Sequence, residues 1–286
     1  MIVLIGYGIA LGCIFGAYIV HGGNIGVILR ALPLDLVAIV GGALGAFAVN
    51  NQPKVIKATI SAIPGVLSGS KYSKTRYLEL MALLYDILQK ARKEGLLAIE
   101  QDVEEPAASS LFQKHAVVSA DPRVVEFITD YLRLMLSGNL DADEIEGLMD
   151  SEIEAHHSEA HGPVSALARL AGALPAFGII VAVLGVVNTM GSVGQPPAIL
   201  GAMIGSALVG TFLGILLAYA VVEPLGGLIE QKVDEATKEL QCIKSTLLAS
   251  MQGCAPQVAV EFGRKVLYSN DRPTYLELER HVRGKK

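Results

Sequence analysis

Residues 170–222 read LAGALPAFGIIVAVLGVVNTMGSVGQPPAILGAMIGSALVGTFLGILLAYAVV, and no charged residue or histidine interrupts them between Arg169 and Glu223. A helix that crosses a bilayer needs about 20 apolar residues. Leu170–Met190 and Ala198–Val222 each reach that length, and Gly191-Ser192-Val193-Gly194-Gln195-Pro196-Pro197 between them is a Gly/Pro turn. The pair predicts a transmembrane hairpin. With no acid, base or histidine it has no titrating group of its own, so an ion moving beside it needs one from another chain. Its polar groups are Asn188, Thr189, Ser206, Thr211 and Tyr219. Hydroxyls in membrane helices commonly satisfy their own backbone, so each is more often structural than functional.

Two further apolar runs lie outward from the hairpin. Met1–Val20 carries no charge, lacks a basic leader and has no clear cleavage site at Gly22-Gly23-Asn24, which predicts a retained helix. Leu34–Val49 is shorter, with Asp35 at its start. Gly8/Gly12/Gly16, Gly41/Gly45, Gly201/Gly205 and Gly210/Gly214 repeat every four residues and predict faces for close helix contact. Lys54, Lys57, Lys71, Lys74 and Arg76 follow the second run, whereas the loop before it carries Arg30 alone and the hairpin turn carries none. The positive-inside rule then makes the middle segment and tail cytoplasmic, with four spans and both termini inside.

Composition agrees with a protein that is part membrane and part water-facing. The chain is 52% hydrophobic with mean hydropathy +0.48 and no Trp, which excludes an ordinary soluble enzyme and a disordered chain. All its charges but Arg30 and Asp35 fall in residues 50–169 and 223–286. The formal charge of −5, without a long basic stripe, gives no footprint for nucleic acid. Cys13, Cys242 and Cys254 are widely spaced and read as free thiols. The expected fold is all-α. Residues 1–50 supply two transmembrane helices and 169–224 the other two. Residues 51–168 and the tail, 225–286, pack as one helical cytoplasmic domain.

Apolar residues recur at threes and fours over Tyr77–Ile99, with Gly95 interrupting, and Lys90, Arg92, Lys93, Glu94, Glu100 and Asp102 crowd around that glycine. Asp121-Pro122 reads as a helix cap before Val124–Leu136, and Asp141 as the cap of Glu144–Glu159. Leu228–Met251 is helical by pattern, and the stretch from Pro256 is mixed. His157 and His161 are four apart, a spacing that can hold a metal on a helix. Beside His156 and without a further ligand set, they read more readily as a solvated face. No G-x-S-x-G, Walker loop or G-x-G-x-x-G is present. In the four-span topology Pro175 and Pro224 stand at one cytoplasmic depth. They are either hinges or helix-end punctuation, and spacing alone leans to the latter.

Several segments together resemble one family over nearly the whole chain. They are Gly6-Tyr7, Ser70-Lys71-Tyr72-Ser73-Lys74, Ala82-Leu83-Leu84-Tyr85, Asp130-Tyr131-Leu132-Arg133-Leu134-Met135, Glu144-Ile145-Glu146-Gly147-Leu148-Met149-Asp150, Leu174-Pro175-Ala176-Phe177-Gly178, Val209-Gly210-Thr211-Phe212-Leu213-Gly214-Ile215-Leu216-Leu217-Ala218-Tyr219 and Val260-Glu261-Phe262-Gly263-Arg264-Lys265. The ordered set resembles the flagellar motor stator A subunits, MotA. The resemblance implies a homopentameric ring of A subunits around a dimer of peptidoglycan-anchored MotB-type B subunits in the inner membrane. Each B subunit brings one ion-binding aspartate, and ion flow turns the A ring against the rotor switch protein FliG.

By the same resemblance, Arg92 and Glu100 match the charged pair that meets FliG. Pro175 and Pro224 match the prolines near the ion pathway, and Thr211 matches a channel-lining threonine. Sodium-driven relatives carry a threonine seven residues after the proline of the third span. Ala182 stands there in this chain, which implies proton coupling. No cofactor, metal or bond-making chemistry is implied, and the three-histidine cluster departs from the family pattern. Two other readings are an ExbB/TolQ-type energiser, which has three spans and an outside N-terminus, and a stand-alone transporter. The latter calls for an ionisable residue inside a span, and the spans as read contain none.

Overall fold

The computed structural model describes residues 2–284. Contacts divide it into two compact units: residues up to Gly69 with Ala160–Gln231, and Ser70–Glu159 with residues from Lys232 onward. The sequence partition at 50/51, 168/169 and 224/225 follows charge, whereas this grouping follows contact. No strand occurs among the described residues.

The first unit begins with α1 (Ile2–Val20) and α2 (Ile25–Asn50), joined at Gly22, whose φ of +79 is a backbone state that glycine adopts without strain. Asn24 caps α2 by accepting from the Gly26 amide at 2.9 Å. The helix therefore starts nine residues before the apolar run that signalled it, and Arg30, Pro33 and Asp35 all lie inside it. That corrects two expectations. Arg30 is not in a loop, and a span helix does contain ionisable residues, so their absence argues against a stand-alone transporter only for the hairpin. Pro33 stands immediately before that run; proline usually marks a boundary, but helices also carry it internally. After a break at Asn51-Gln52, α3 (Pro53–Leu67) starts on a proline at its first position.

In the second unit, α4 (Lys74–Glu94) is capped by the Ser73 hydroxyl and ends at Gly95, with φ +95. A 3-10 turn over Leu96–Ile99 leads into α5 (Glu100–Glu104). Then come two short helices, α6 (Ser110–Lys114) and α7 (Ala116–Ser119), and α8 (Pro122–Ser137), which Gly138 closes in the left-handed region. Tyr77, Leu80, Leu83, Leu84 and Ile87 of α4 form the core with Phe127, Ile128 and Leu132 of α8.

Two helices contribute to both units. α9 (Ala142–Met190) is one 49-residue helix where the sequence suggested a capped acidic helix and a separate span. Asp141 and Glu144 make a reciprocal capping box at its start, and Pro163 and Pro175 sit inside it. α10 (Pro197–Leu216) runs through a π-helical turn, Leu217–Val222, into α11 (Glu223–Met251). The stretch that read as mixed holds α12 (Pro256–Val266) and α13 (Tyr275–Gly284). α1, α2, α9 and the α10–α11 helix are each long and apolar enough to cross a membrane.

Candidate functional site

The hairpin closes through its smallest residues. A methyl group on Gly178 would stand 2.7 Å from the Gly210 carbonyl oxygen, and one on Gly214 would stand 2.6 Å from the Leu174 carbonyl oxygen and 3.2 Å from Pro175 Cα. One on Gly185 would stand 2.7 Å from Ala207 Cβ. α9 and α10 thus meet backbone to backbone along Pro175, Gly178, Ala182 and Gly185. The spacing argument found Gly210 and Gly214 but not their partners on α9. Gly8, Gly12, Gly16, Gly41, Gly45 and Gly201 have nothing within 4 Å of an added methyl. Gly42 is instead the close one on α2, where the Phe177 ring fills the space a side chain would take. Spacing shows that a face is flat. It does not show what lies against it.

Ala182 is buried in this contact, with its amide 3.3 Å from where a Gly210 methyl would be. Thr211 is half-buried, one residue from Phe212, whose ring meets Phe15 of α1 edge-on at 5.9 Å. Pro175 is half-buried inside α9. Pro224 is exposed and is the second residue after the π turn. There the Glu223 amide reaches back five residues to the Ala218 carbonyl, and Pro224 has no amide to offer. The Tyr7 hydroxyl donates to the Val221 carbonyl at 3.0 Å, so α1 occupies a carbonyl of this irregular turn. Pro224 signalled the irregularity in the sequence. The reach of Tyr7, 214 residues away, carried no local signal.

In the second unit, Gly95 ends α4 so that Arg92 sits in its last turn and Glu100 opens α5. Both are exposed, and neither makes an ion pair among the described residues. Their neighbours do. Lys90 Nζ reaches Asp102 Oδ2 at 2.7 Å, while the Ser109 hydroxyl donates to Asp102 Oδ1 at 2.6 Å. The charge-dense segment therefore divides: Lys90 and Asp102 staple the corner, and Arg92 and Glu100 are left to face outward. Leu97, 73% exposed, stands between them.

At the opposite end of α4, Arg76 is buried and forks onto Glu239, Nε to Oε1 at 2.6 Å and Nη2 to Oε2 at 3.0 Å. It also donates to Asp121 Oδ2 at 3.1 Å. Burial pushes the Glu239 carboxyl up, with Arg76 only partly offsetting it. Burial would raise Asp121 too, but the Lys71 hydrogen bond and charge, with Arg123 and Arg76, outweigh it and hold the carboxyl low. Asp121 keeps the capping position of α8 but makes no side-chain cap bond; its Oδ2 accepts instead from Lys71 and Arg76.

The three histidines diverge. Arg123 Nη1 donates to His156 Nε2 at 3.4 Å, and burial followed by that positive charge lowers the pKa of His156. His157 pairs with the Thr237 hydroxyl, and His161 with Ser165 and Glu230. No group of three metal-binding side chains converges among the described residues.

These features define an all-helical, multi-pass membrane protein whose uncharged hairpin is built to pack closely against other helices. The Motility protein A N-terminal family model matches residues 4–95, and the MotA/TolQ/ExbB proton channel family model matches residues 120–242. The chain is 49% identical to Motility protein A of Salmonella typhimurium, covering 99% of this chain and 96% of that one. It is 48% identical to Motility protein A of Escherichia coli over 100% and 96%, and 37% identical to Chemotaxis protein LafT of Vibrio parahaemolyticus over 94% of each. Its fold matches the structure of C. jejuni MotAB with a TM-score of 0.76 at 22% identity, covering 95% of this chain and 98% of that one. The chain belongs to the motility protein A family and has the stator role in bacterial flagellar motility.

Proposed function

We propose that this chain is the ring-forming subunit of a proton-driven stator, a pentamer around a MotB-type dimer whose aspartates carry the ion. The observation that carries this reading is the hairpin of residues 170–222, which crosses without an acid, base or histidine. Its tight closure at Gly178 and Gly214 supports a scaffold that moves as a unit. In this reading Thr211 lies by the ion pathway, and Pro175 and Pro224 permit bending near it. Ala182 has no side-chain oxygen to replace a cation's water, which favours a proton over sodium. Arg92 and Glu100 meet FliG, a cytoplasmic partner of the segment 51–168. The chain sits in the inner membrane with both termini cytoplasmic, embedded in lipid, and has no nucleic-acid partner. It needs no cofactor and makes no covalent bond. The MotA/TolQ/ExbB match supports ion coupling, and the N-terminal match supports the motility branch over an outer-membrane energiser.

The test is tethered-cell rotation at fixed pH without sodium, in cells whose only A subunit is this chain. Rotation should persist and scale with the proton gradient. Rotation that stops without sodium and resumes on its addition refutes proton coupling. In the same cells Arg92→Glu should impair swimming more than Arg92→Ala, since exposed pairs are individually worth roughly 0–1 kcal/mol but a reversed charge repels its partner. Normal swimming of Arg92→Glu would remove it from the rotor contact.

A further inference from the structure

α3 has an exposed face that neither the hairpin nor the rotor reading uses. Its buried side is Thr59 and Val66, with Val55 against Gly162 of α9. On the exposed side, Ile60 (62% exposed) and Ile63 (38%) form an apolar strip. Helical spacing places Lys57, Ser61 and Lys54, all exposed, along the adjoining strip. An apolar strip bordered by lysines is the pattern of a helix lying at a bilayer surface. α3 begins three residues after α2 ends at Asn50, so it starts where a span leaves the membrane. The charge there has one sign. No acidic residue occurs between Asp35 and Glu79, and neither Lys54 nor Lys57 has an ion-pair partner among the described residues. Asn51, in the break before α3, accepts from Arg169 Nη2 at 2.7 Å and so holds a third cation, on α9, beside this end of α3.

We propose that α3 is a binding surface for anionic phospholipid: Ile60 and Ile63 enter the acyl layer while Lys54 and Lys57, with Arg169 nearby, hold phosphate headgroups. The lysine stems can run along the apolar strip and place their ammonium groups at headgroup level. A zwitterionic surface would satisfy the isoleucines but not two unpaired lysines, and it is the unpaired charge that selects the lipid. The inference rests on the membrane placement of the first unit and is independent of ion choice and rotor contact.

The chain contains no Trp, so Ile60→Trp supplies its only indole. The purified full chain carrying that change is reconstituted in bilayers of phosphatidylcholine and phosphatidylglycerol, one of the two brominated in its acyl chains. Brominated phosphatidylglycerol should quench the indole as though enriched about fivefold or more over its bulk fraction, the equivalent of one lysine at an anionic surface. Adding Lys54→Gln with Lys57→Gln should bring quenching by the two lipids to equality, and Lys54→Arg with Lys57→Arg should keep the preference. Equal quenching by both lipids in the lysine-bearing chain overturns the headgroup site. Absence of quenching by either overturns the bilayer placement of α3, and a preference that survives the glutamine pair removes the lysines from it.

Discussion

In the apolar unit, α9 and α10 touch through Gly178, Gly185, Gly210 and Gly214. In the polar unit, Tyr77, Leu80 and Leu84 of α4 share one core with Phe127 and Leu132 of α8, all but fully buried. The difference follows from the solvent each unit meets. Lipid tails are as apolar as leucine, so burying leucine between two membrane helices gains little. What remains is close backbone approach, which only small residues allow. In water, the same helix pair gains about 25 cal/mol for each Å² of apolar surface removed, so large side chains are favoured at the contact. The polar unit can then accommodate a buried Arg76–Glu239 pair, whereas no such pair occurs in the hairpin.

That contrast can be broken most severely at Gly178. Gly178→Leu places a side chain against the Gly210 carbonyl and the Gly214 backbone, neither of which can retreat. The purified chain should lose its compact elution profile in detergent, and cells relying on it should not swim. Gly8→Leu, facing open space in the chain, should leave the fold of the single chain intact. If Gly178→Leu elutes and functions as the parent does, the backbone contact is not what holds α9 to α10.

Next in size is the buried pair. Arg76→Met leaves Glu239 in a site where its side chain is 2% exposed, and breaking such a pair typically costs about 3–5 kcal/mol. Thermal unfolding followed by circular dichroism should show the loss, and adding Glu239→Leu should recover most of it. The pH dependence has a definite sign. Glu239 is raised in the fold, so the stability tied to its protonated form is present below the ordinary carboxylate value and is lost as pH rises through its folded value. Without Arg76 that loss grows, so the deficit of Arg76→Met should narrow as pH falls from about 8 to about 5. Asp121 runs the other way. Its lowered carboxyl contributes stability above its unfolded value of 3.8 that is lost as pH falls through its folded one. A deficit that is flat with pH would mean that Glu239 is not the group left exposed to the loss.

The smallest expected effect sharpens the role of the irregular turn. Tyr7→Phe removes the hydroxyl from the Val221 carbonyl, a net cost of about 0.5–1.5 kcal/mol. Thermal stability should fall slightly, with the four membrane helices retained. A loss as large as that of Arg76→Met would show that α1 anchors the π turn through more than this bond.

The uncharged hairpin, the all-helical class and the charge-dense corner around Gly95 were legible because each rests on local chemistry: apolar length, period and the backbone freedom of one glycine. Asn24 and Pro33 hid the true start of α2, since a cap acts through geometry and a proline inside a helix looks like one at its end. The sequence by itself determined which segments are apolar enough to enter lipid, where helices begin at Asp121 and Asp141, and that the hairpin contains no titrating group. Only the tertiary structure decided that Gly178 faces Gly210, that Lys90 and Asp102 are consumed by each other while Arg92 and Glu100 face outward, and that Arg76 meets Glu239 across 163 residues. The reason is range. Periodicity and capping are set within a few residues, whereas a contact partner is chosen by how distant helices stack, and a chain carries no local mark of that choice.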